Sequence, residues 1–432
     1  MSDKLFSDDF NPEPYWWERV PRPDLGAAPP PAKADVVVIG SGYTGLNAAI
    51  ETARGGRATV VLDAEAAGFG CSTRNGGQIS TSVKPELGEL TRRYGRERGA
   101  AVLREGHDAL AWIGDFIRRE AIDCDFAVVG RFHAAHNAAA YEELARDVEG
   151  VSAEFPTDAY VVPRAEQRHA IGTDGYHGGA IFPRHASLDP GRYHQGLLDR
   201  ARAAGAVVVP YCPATAIRRE VGGFEVTTPR GIVRARDVVI ATNGYTGPLT
   251  PWLRRRVIPI GSYIIATEDL GPERMAEVIP ENRIVSDTRR VVYYYRASPD
   301  GRRMLFGGRV SADETDPRIS GPRLHAEMAR LFPQLARTKI SHSWAGTVAY
   351  TFDELAHAGQ NDGLYFAMGY CGSGVSMASY LGMRIGQQVL GRPEGRTAFD
   401  AVPFPTRPFY TGRPWFLGAA VAYYRWRDGL GG

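Results

Sequence analysis

Apolar residues follow two different periods along the chain. Residues 35–39 (DVVVI) are apolar without a break after the first, the pattern of a strand buried on both faces of a parallel sheet. Residues 44–53 have helical character, and 59–62 (TVVL) form a second buried strand, so 35–62 predicts one strand–helix–strand unit. Residues 89–162 are polar and mostly helical in pattern, and within 109–118 Leu110, Ile113 and Ile117 share one face. Residues 186–245 return to α/β character. They predict a helix over 193–204, a strand over 206–209, a hairpin joining 224–228 to 232–235, and a buried strand over 238–241. Residues 251–345 are rich in strands and turns, at 263–267, 291–295 and 304–306. A short strand at 364–367 precedes a glycine cluster and a helix from about 375 to 390.

The α/β segments therefore fall at 35–88, 163–250 and 346–395, with blocks of different character inserted at 89–162 and 251–345. A proline-rich lead-in occupies 1–34 and a proline- and aromatic-rich tail 396–432. Tyr15, Trp16 and Trp17 make the lead-in too aromatic for a free tail, so it is expected to dock. Within the tail, the apolar run 415–424 predicts a buried terminal helix rather than one lying on a membrane.

Length and composition narrow the field. At 432 residues the chain exceeds the roughly 100–150 typical of one domain. Its 44% hydrophobic content excludes global disorder, and a net charge of +2 argues against a dedicated nucleic-acid binder. Cys71, Cys124, Cys212 and Cys371 lie too far apart in sequence for a zinc motif or a disulfide framework. His133 and His136 are three apart on a possible helix, but no carboxylate completes a metal signature. No run approaches the ~18 apolar residues of a membrane span, and residues 1–14 lack the core of a signal peptide. A soluble cytoplasmic protein is expected.

The sharpest motif is Gly40-Ser41-Gly42-Tyr43-Thr44-Gly45, between the first strand and the first helix. Gly40 permits the tight turn, Gly42 lets the backbone approach a pyrophosphate, and Gly45 allows close helix–strand contact. The opening helix offers free N–H groups to the phosphates. Asp63 ends the second strand, 18 residues after Gly45, where a carboxylate can bind both ribose hydroxyls of an adenosine. Glu65 is the alternative. This fingerprint alone does not separate NAD from FAD. A second glycine-rich stretch, residues 68–78 (GFGCSTRNGGQ), follows the acid directly and suits a cofactor that extends further. A third cluster, residues 369–375 (GYCGSGV), lies between a strand and a helix whose N-terminus could face a flavin.

Taken in order, GSGYTG, Asp63, GFGCSTRNGGQ, ATNGYT (241–246) and GYCGSGV resemble the motifs of FAD-dependent amine and amino-acid oxidoreductases, the superfamily of D-amino-acid, glycine and sarcosine oxidases. The likeness is greatest to the γ-glutamylputrescine oxidase group, and it spans nearly the whole chain. The resemblance implies a Rossmann-like FAD domain in three segments (35–88, 163–250, 346–395) and an interleaved mixed-sheet substrate domain (89–162, 251–345), α+β overall. It implies that Gly40, Gly42, Tyr43, Thr44, Gly45 and Asp63 hold the ADP half, and that Val208 meets the adenine. Arg74, Asn75, Gly76, Gly77 and Gln78 would pass along the flavin, and Gly372, Ser373, Gly374 and Val375 would lie at its N1/O2 edge. The segment resembling the covalent attachment site of sarcosine oxidases, 346–354, has no cysteine, so non-covalent FAD is expected.

The implied chemistry is oxidation of a C–H beside an amine nitrogen, by hydride transfer from a neutral amine to flavin N5 and hydrolysis of the imine. Oxygen or another acceptor would take the electrons. Sarcosine oxidases use lysines for oxygen and for the substrate carboxylate; Met304 and Ser376 stand at the matching positions, so oxidase and dehydrogenase both stay open. Among aromatic positions of the inserted sheet, Tyr263, Tyr293 and Tyr295 are candidates for an amine pocket, with Tyr293 and Tyr295 alternating onto one face. Arg309 is a candidate carboxylate clamp, and Trp344 and Tyr350 resemble positions near the flavin edge. A secondary amine, such as a cyclic imino acid or an opine, is the alternative substrate.

Overall fold

The computed structural model describes residues 5–429 other than 21, 27, 156 and 310–314. Two large sheets organise it.

The first, of eight strands, holds a parallel set in the spatial order Val207–Val209, Thr59–Leu62, Lys33–Ile39, the second half of Gly231–Ile240, and Leu364–Met368. Its valines alternate between two cores. Val36, Val38, Val61 and Val239 face the helices, whereas Val37, Val60, Val238 and Ile240 face the opposite cluster. Burial on both sides explains the unbroken apolar runs. The hairpin Ala216–Glu220 and Gly223–Thr228 pairs with the first half of Gly231–Ile240. On the helical face, Tyr43–Arg54 packs closely on Gly374–Val389: a Cβ at Gly382 would lie 2.4 Å from Thr44 O.

The second sheet has nine strands in the order Phe6–Asn11, Ile340–Tyr350, Ile258–Thr267, Met304–Gly308, Tyr294–Ala297, Ile284–Asp287, Arg131–Ala134, Gly179–Phe182 and Tyr160–Val162. It is mixed, with parallel pairs at 6–11/340–350 and at 131–134/284–287. One face packs Tyr263, Ile265, Tyr295 and Phe306 against Leu324 and Met328 of the helix Pro317–Leu331. The other face carries Ile264, Leu305 and Trp344, covered by Tyr15 and Trp16. The lead-in therefore docks as its aromatic content predicts, through strand Phe6–Asn11 and helix Tyr15–Arg19.

Four local features differ from expectation. Helices Leu87–Tyr94 and Arg96–Arg119, placed by the sequence blocks with the inserted sheet, bury Leu90, Val102, Ile113 and Phe116 in the core of the first sheet. Gly179–Phe182, assigned to an α/β block, joins the second sheet. An apolar stripe reports that a helix is covered, not by what. His133 lies on strand Arg131–Ala134, not on a helix, because three-residue spacing alone does not fix a period. The terminal helix Leu417–Gly429 is not buried: Trp415 before it and Tyr423, Tyr424 and Trp426 on it are exposed. Among the described residues, no helix is long and apolar enough to cross a membrane.

Candidate functional site

The first glycine motif is built as its spacing requires. Gly40 has φ +105°, open to glycine and strained for other residues. A Cβ at Gly45 would lie 1.9 Å from Gly40 O, so helix and turn touch only because position 45 has no side chain. A Cβ at Gly42 would meet Ser72 Oγ at 2.7 Å, and that hydroxyl accepts from Tyr43 N–H at 3.0 Å. Asp63 Oδ2 accepts from Ser41 N (2.8 Å) and Ser41 Oγ (2.5 Å), and Oδ1 from Glu65 N (3.0 Å). Burial holds its carboxyl above the usual range. Glu65 itself is exposed. His194 Nε2 donates to Ser41 O at 2.8 Å, and burial lowers its pKa to about 4.

Not every motif residue faces open space. Tyr43 OH donates to Pro190 O, and Thr44 Oγ1 pairs with Tyr370 OH at 2.7 Å, so both side chains brace the helix from within. Val208 is the middle of the short strand beside Val61, and Asp63 N bonds Val209 O next to it.

The second glycine stretch runs between the two sheets. Trp16 Nε1 donates to Asn75 O and Trp344 Nε1 to Arg74 O. Arg74 donates to Phe69 O and Ala345 O and stacks on Trp17 and Phe69, so its guanidinium clamps the stretch to strand Ile340–Tyr350. Asn75 folds back on the carbonyls of Cys71 and Ser72. Gly77 has φ +67°, and a Cβ there would lie 2.1 Å from Leu188 O. Gln78 Nε2 reaches Val285 O and Tyr295 O on the second sheet. Gly76 lies under Tyr294, whose ring would stand 3.2 Å from a Cβ at that position.

The tyrosines divide between two faces. Tyr263, Tyr293 and Tyr295 lie on the helix-covered face, in the core with Phe306 and Leu324, away from the glycine stretch. Alternation separates Tyr294 from its neighbours but does not say which set faces a ligand. Tyr294 is on the opposite face, with Ile264, Leu305 and Trp344. It lies across Gly307, its hydroxyl is 2.9 Å from Ser262 Oγ, and burial pushes its pKa to about 12. Cys71, Arg309 and Tyr350 lie close enough to act on it electrostatically. Trp344 shares this face. Arg309 stacks on the Tyr350 ring at 4.3 Å, and Lys84 stacks at 4.6 Å and donates to Tyr350 OH at 2.8 Å. Lys84 and Ser262 carry no motif, and only the folded chain brings them here.

The third cluster closes the site. Gly372 has φ +84°, and a Cβ there would lie 3.1 Å from Tyr350 OH. Ser373 precedes the helix that begins at Gly374 and includes Val375. Cys371 is buried, with its thiol pushed up by desolvation, which suits packing rather than nucleophilic attack. Among the described residues, no group of three or more His, Cys, Asp or Glu could hold a metal ion.

Residues 35–388 match the FAD dependent oxidoreductase family, DAO. The chain belongs to this family. It is 32% identical over 425 residues to the probable oxidoreductase OrdL of Rhizobium meliloti, covering 97% of this chain and 98% of that protein. It is 32% identical over 407 residues to the γ-glutamylputrescine oxidoreductase of Escherichia coli, covering 92% and 93%. The fold is that of glycine oxidase from Geobacillus kaustophilus, with a TM-score of 0.74 at 19% identity over 87% of this chain and 99% of that one. The chain is thus an FAD-dependent oxidoreductase, and its residues fit the cofactor. The turn from Gly40 to Gly45 is packed too closely for side chains at 40 and 45 and brings its backbone to the start of a helix, Asp63 follows the adjoining strand, and a second helix start stands at Gly374.

Proposed function

We propose that this flavoenzyme oxidises the C–N bond of an amine, with γ-glutamylputrescine-like amines first, and that the imine formed is hydrolysed by water. The observation that carries this reading is the placement of Tyr294, Tyr350, Arg309 and Lys84 around the second glycine stretch. The E. coli relative, similar over 92% of this chain, supports the substrate class.

In this reading Gly40, Gly42, Gly45 and Asp63 hold the ADP half, and residues 74–78 and 372–375 hold the flavin half, without a covalent link. The eight-stranded sheet is the cofactor domain and the nine-stranded sheet the substrate domain. FAD, when bound, supplies the acceptor for a hydride from the carbon beside the nitrogen. The protein supplies position and charge. Trp344 and Tyr294 form an aromatic wall. Tyr294, with its pKa at about 12 and its hydroxyl held by Ser262, stays neutral at pH 7 and forms no charged partner for the amine. Lys84 and Arg309, stacked on the Tyr350 ring, place two cations at the wall and disfavour the ammonium form of the substrate. The neutral amine, the form that can lose a hydride, is thereby favoured.

The test is turnover of γ-glutamylputrescine by the FAD-loaded protein, with the aldehyde product trapped and ammonia measured, in air and with an artificial acceptor. Product in both settings supports an oxidase, and product with the artificial acceptor alone a dehydrogenase. Product from a cyclic imino acid but not from γ-glutamylputrescine would replace the substrate reading.

A further inference from the structure

The row of side chains that carries Tyr294 continues beyond it. Ser286 faces Tyr294 across the strand pair, and His133 faces Ser286 on the next strand. His133 is therefore two strand spacings, roughly 10 Å, from Tyr294 on the same face. Arg131, two residues along, shares that face.

These groups form a nest of donors. Arg131 Nη2 is 2.8 Å from His133 Nδ1. A guanidinium only donates, so in the shorter contact Nδ1 accepts and the ring proton sits on Nε2, and the Ser286 carbonyl 3.2 Å from Nδ1 then receives no bond from it. Ser286 Oγ lies 2.9 Å from the same Nδ1. His185 stacks on Phe182, the strand partner of Arg131. Among the described residues its buried Nδ1 has no hydrogen-bond partner, and neither has Arg131 Nε. No carboxylate acts on Arg131; burial alone does, lowering its pKa to about 10. Arg131, His133 and Tyr294 all lie deep in the protein, yet none is fully buried, and each keeps part of its surface open. A buried guanidinium without an acid is unfavourable until an anion completes it, and a carboxylate does so with two parallel hydrogen bonds.

We propose that Arg131, His133, Ser286 and His185 form a carboxylate-binding subsite at the far end of the substrate cleft. It rests on the reading of the chain as an amine-oxidising flavoenzyme. Arg131 lies two residues along from that row, so a carbon that reacts beside Tyr294 and a carboxylate at Arg131 are roughly 12 Å apart, or about ten covalent bonds in an extended chain. The substrate class is then a long amine with a carboxylate at its other end, of which a γ-glutamyl diamine is an example. An α-amino acid is too short to span both points.

The experiment uses FAD-loaded wild type, Arg131→Met and Arg131→Lys, with γ-glutamylputrescine and putrescine as substrates and glutarate as a carboxylate probe. Arg131→Met is expected to raise KM for γ-glutamylputrescine at least ~10-fold, with kcat and the putrescine kinetics within about twofold, and Arg131→Lys to restore part of the loss. Glutarate is expected to raise the melting temperature of wild type more than that of Arg131→Met, and to inhibit competitively with the amine. An unchanged preference for γ-glutamylputrescine in Arg131→Met, with equal stabilisation of both proteins by glutarate, overturns the proposal. Non-competitive inhibition overturns it too, since the anion would then sit outside the substrate cleft. Arg131 bonds His133 and lies over Phe182 but has no acid partner among the described residues, so its loss should cost little, and a large drop in the melting temperature of Arg131→Met without glutarate would mark Arg131 as structural and likewise overturn it. The glutarate shift needs no turnover, so it still tests the subsite if no amine is oxidised and the functional reading fails.

Discussion

Gly42→Ala separates the cofactor role of the first glycine motif from its structural role. Gly42 has φ −76°, which alanine adopts freely, so no backbone strain arises. The new Cβ would lie 2.7 Å from Ser72 Oγ, a side-chain atom that can rotate away. Rotation breaks the hydrogen bond from Tyr43 N–H, worth about 1 kcal/mol. Replacing glycine by alanine at a helix N-cap costs up to about 1 kcal/mol more, and the stiffer unfolded chain returns about 0.5 kcal/mol. The apoprotein should therefore lose only about 1–2 kcal/mol, within the usual range for one substitution. If the backbone at Gly42 receives the pyrophosphate as proposed, the methyl group and the displaced Ser72 side chain crowd that approach, and FAD affinity should fall about 10–100-fold, or about 1.4–2.7 kcal/mol. FAD titration of the apoprotein by quenching of flavin fluorescence, paired with thermal melts with and without FAD, measures both quantities. Binding within twofold of wild type, with an unchanged flavin spectrum, would refute the assignment of Gly42 to the phosphate cradle.

The other predictions concern charge and facing. His194 holds the glycine turn through Ser41 O, and its folded pKa of about 4 lies below its ordinary 6.5. The unfolded chain protonates first, so the contribution is complete above pH 6.5 and is lost as pH falls towards 4. It amounts to about 3 kcal/mol, and melting curves across that window should lose this slope in His194→Asn. Tyr294→Phe, which removes the hydroxyl bonded to Ser262, should lower kcat/KM about tenfold, whereas Tyr293→Phe, on the opposite face, should leave it within about twofold. Equal effects would mean that the facing of the strand is misread. Lys84→Met should lower kcat/KM about 5–10-fold with the melting temperature almost unchanged, because Lys84 is exposed and among the described residues bonds the Tyr350 hydroxyl alone. A large drop in stability would instead make it a structural tie.

The parallel sheet and the turn from Gly40 to Gly45 were legible because burial on both faces and the touch between Gly45 and Gly40 leave direct marks on residue type. The docking of Trp16 was legible from composition alone. The facing of the tyrosines was not. Strand alternation separates Tyr294 from Tyr293 and Tyr295, but the helix Pro317–Leu331 decides which set is covered. Lys84 was not legible as a site residue because Tyr350, 266 residues further along, comes to it only through the fold. Arg74 lies in a segment that resembles a flavin contact, yet its guanidinium is spent on Phe69 O and Ala345 O, a use that depends on a strand about 270 residues away. The aromatic tail helix was expected to be buried because its residue types are apolar, and hydrophobicity alone does not supply a partner surface.

The most direct measurement is an anaerobic titration of the purified protein with amines, following the visible flavin band. The account predicts a yellow protein whose band bleaches with γ-glutamylputrescine, and whose colour returns once an electron acceptor is admitted. A yellow protein that no amine bleaches would contradict the proposed chemistry, and a colourless protein that FAD cannot reconstitute would contradict the cofactor site itself.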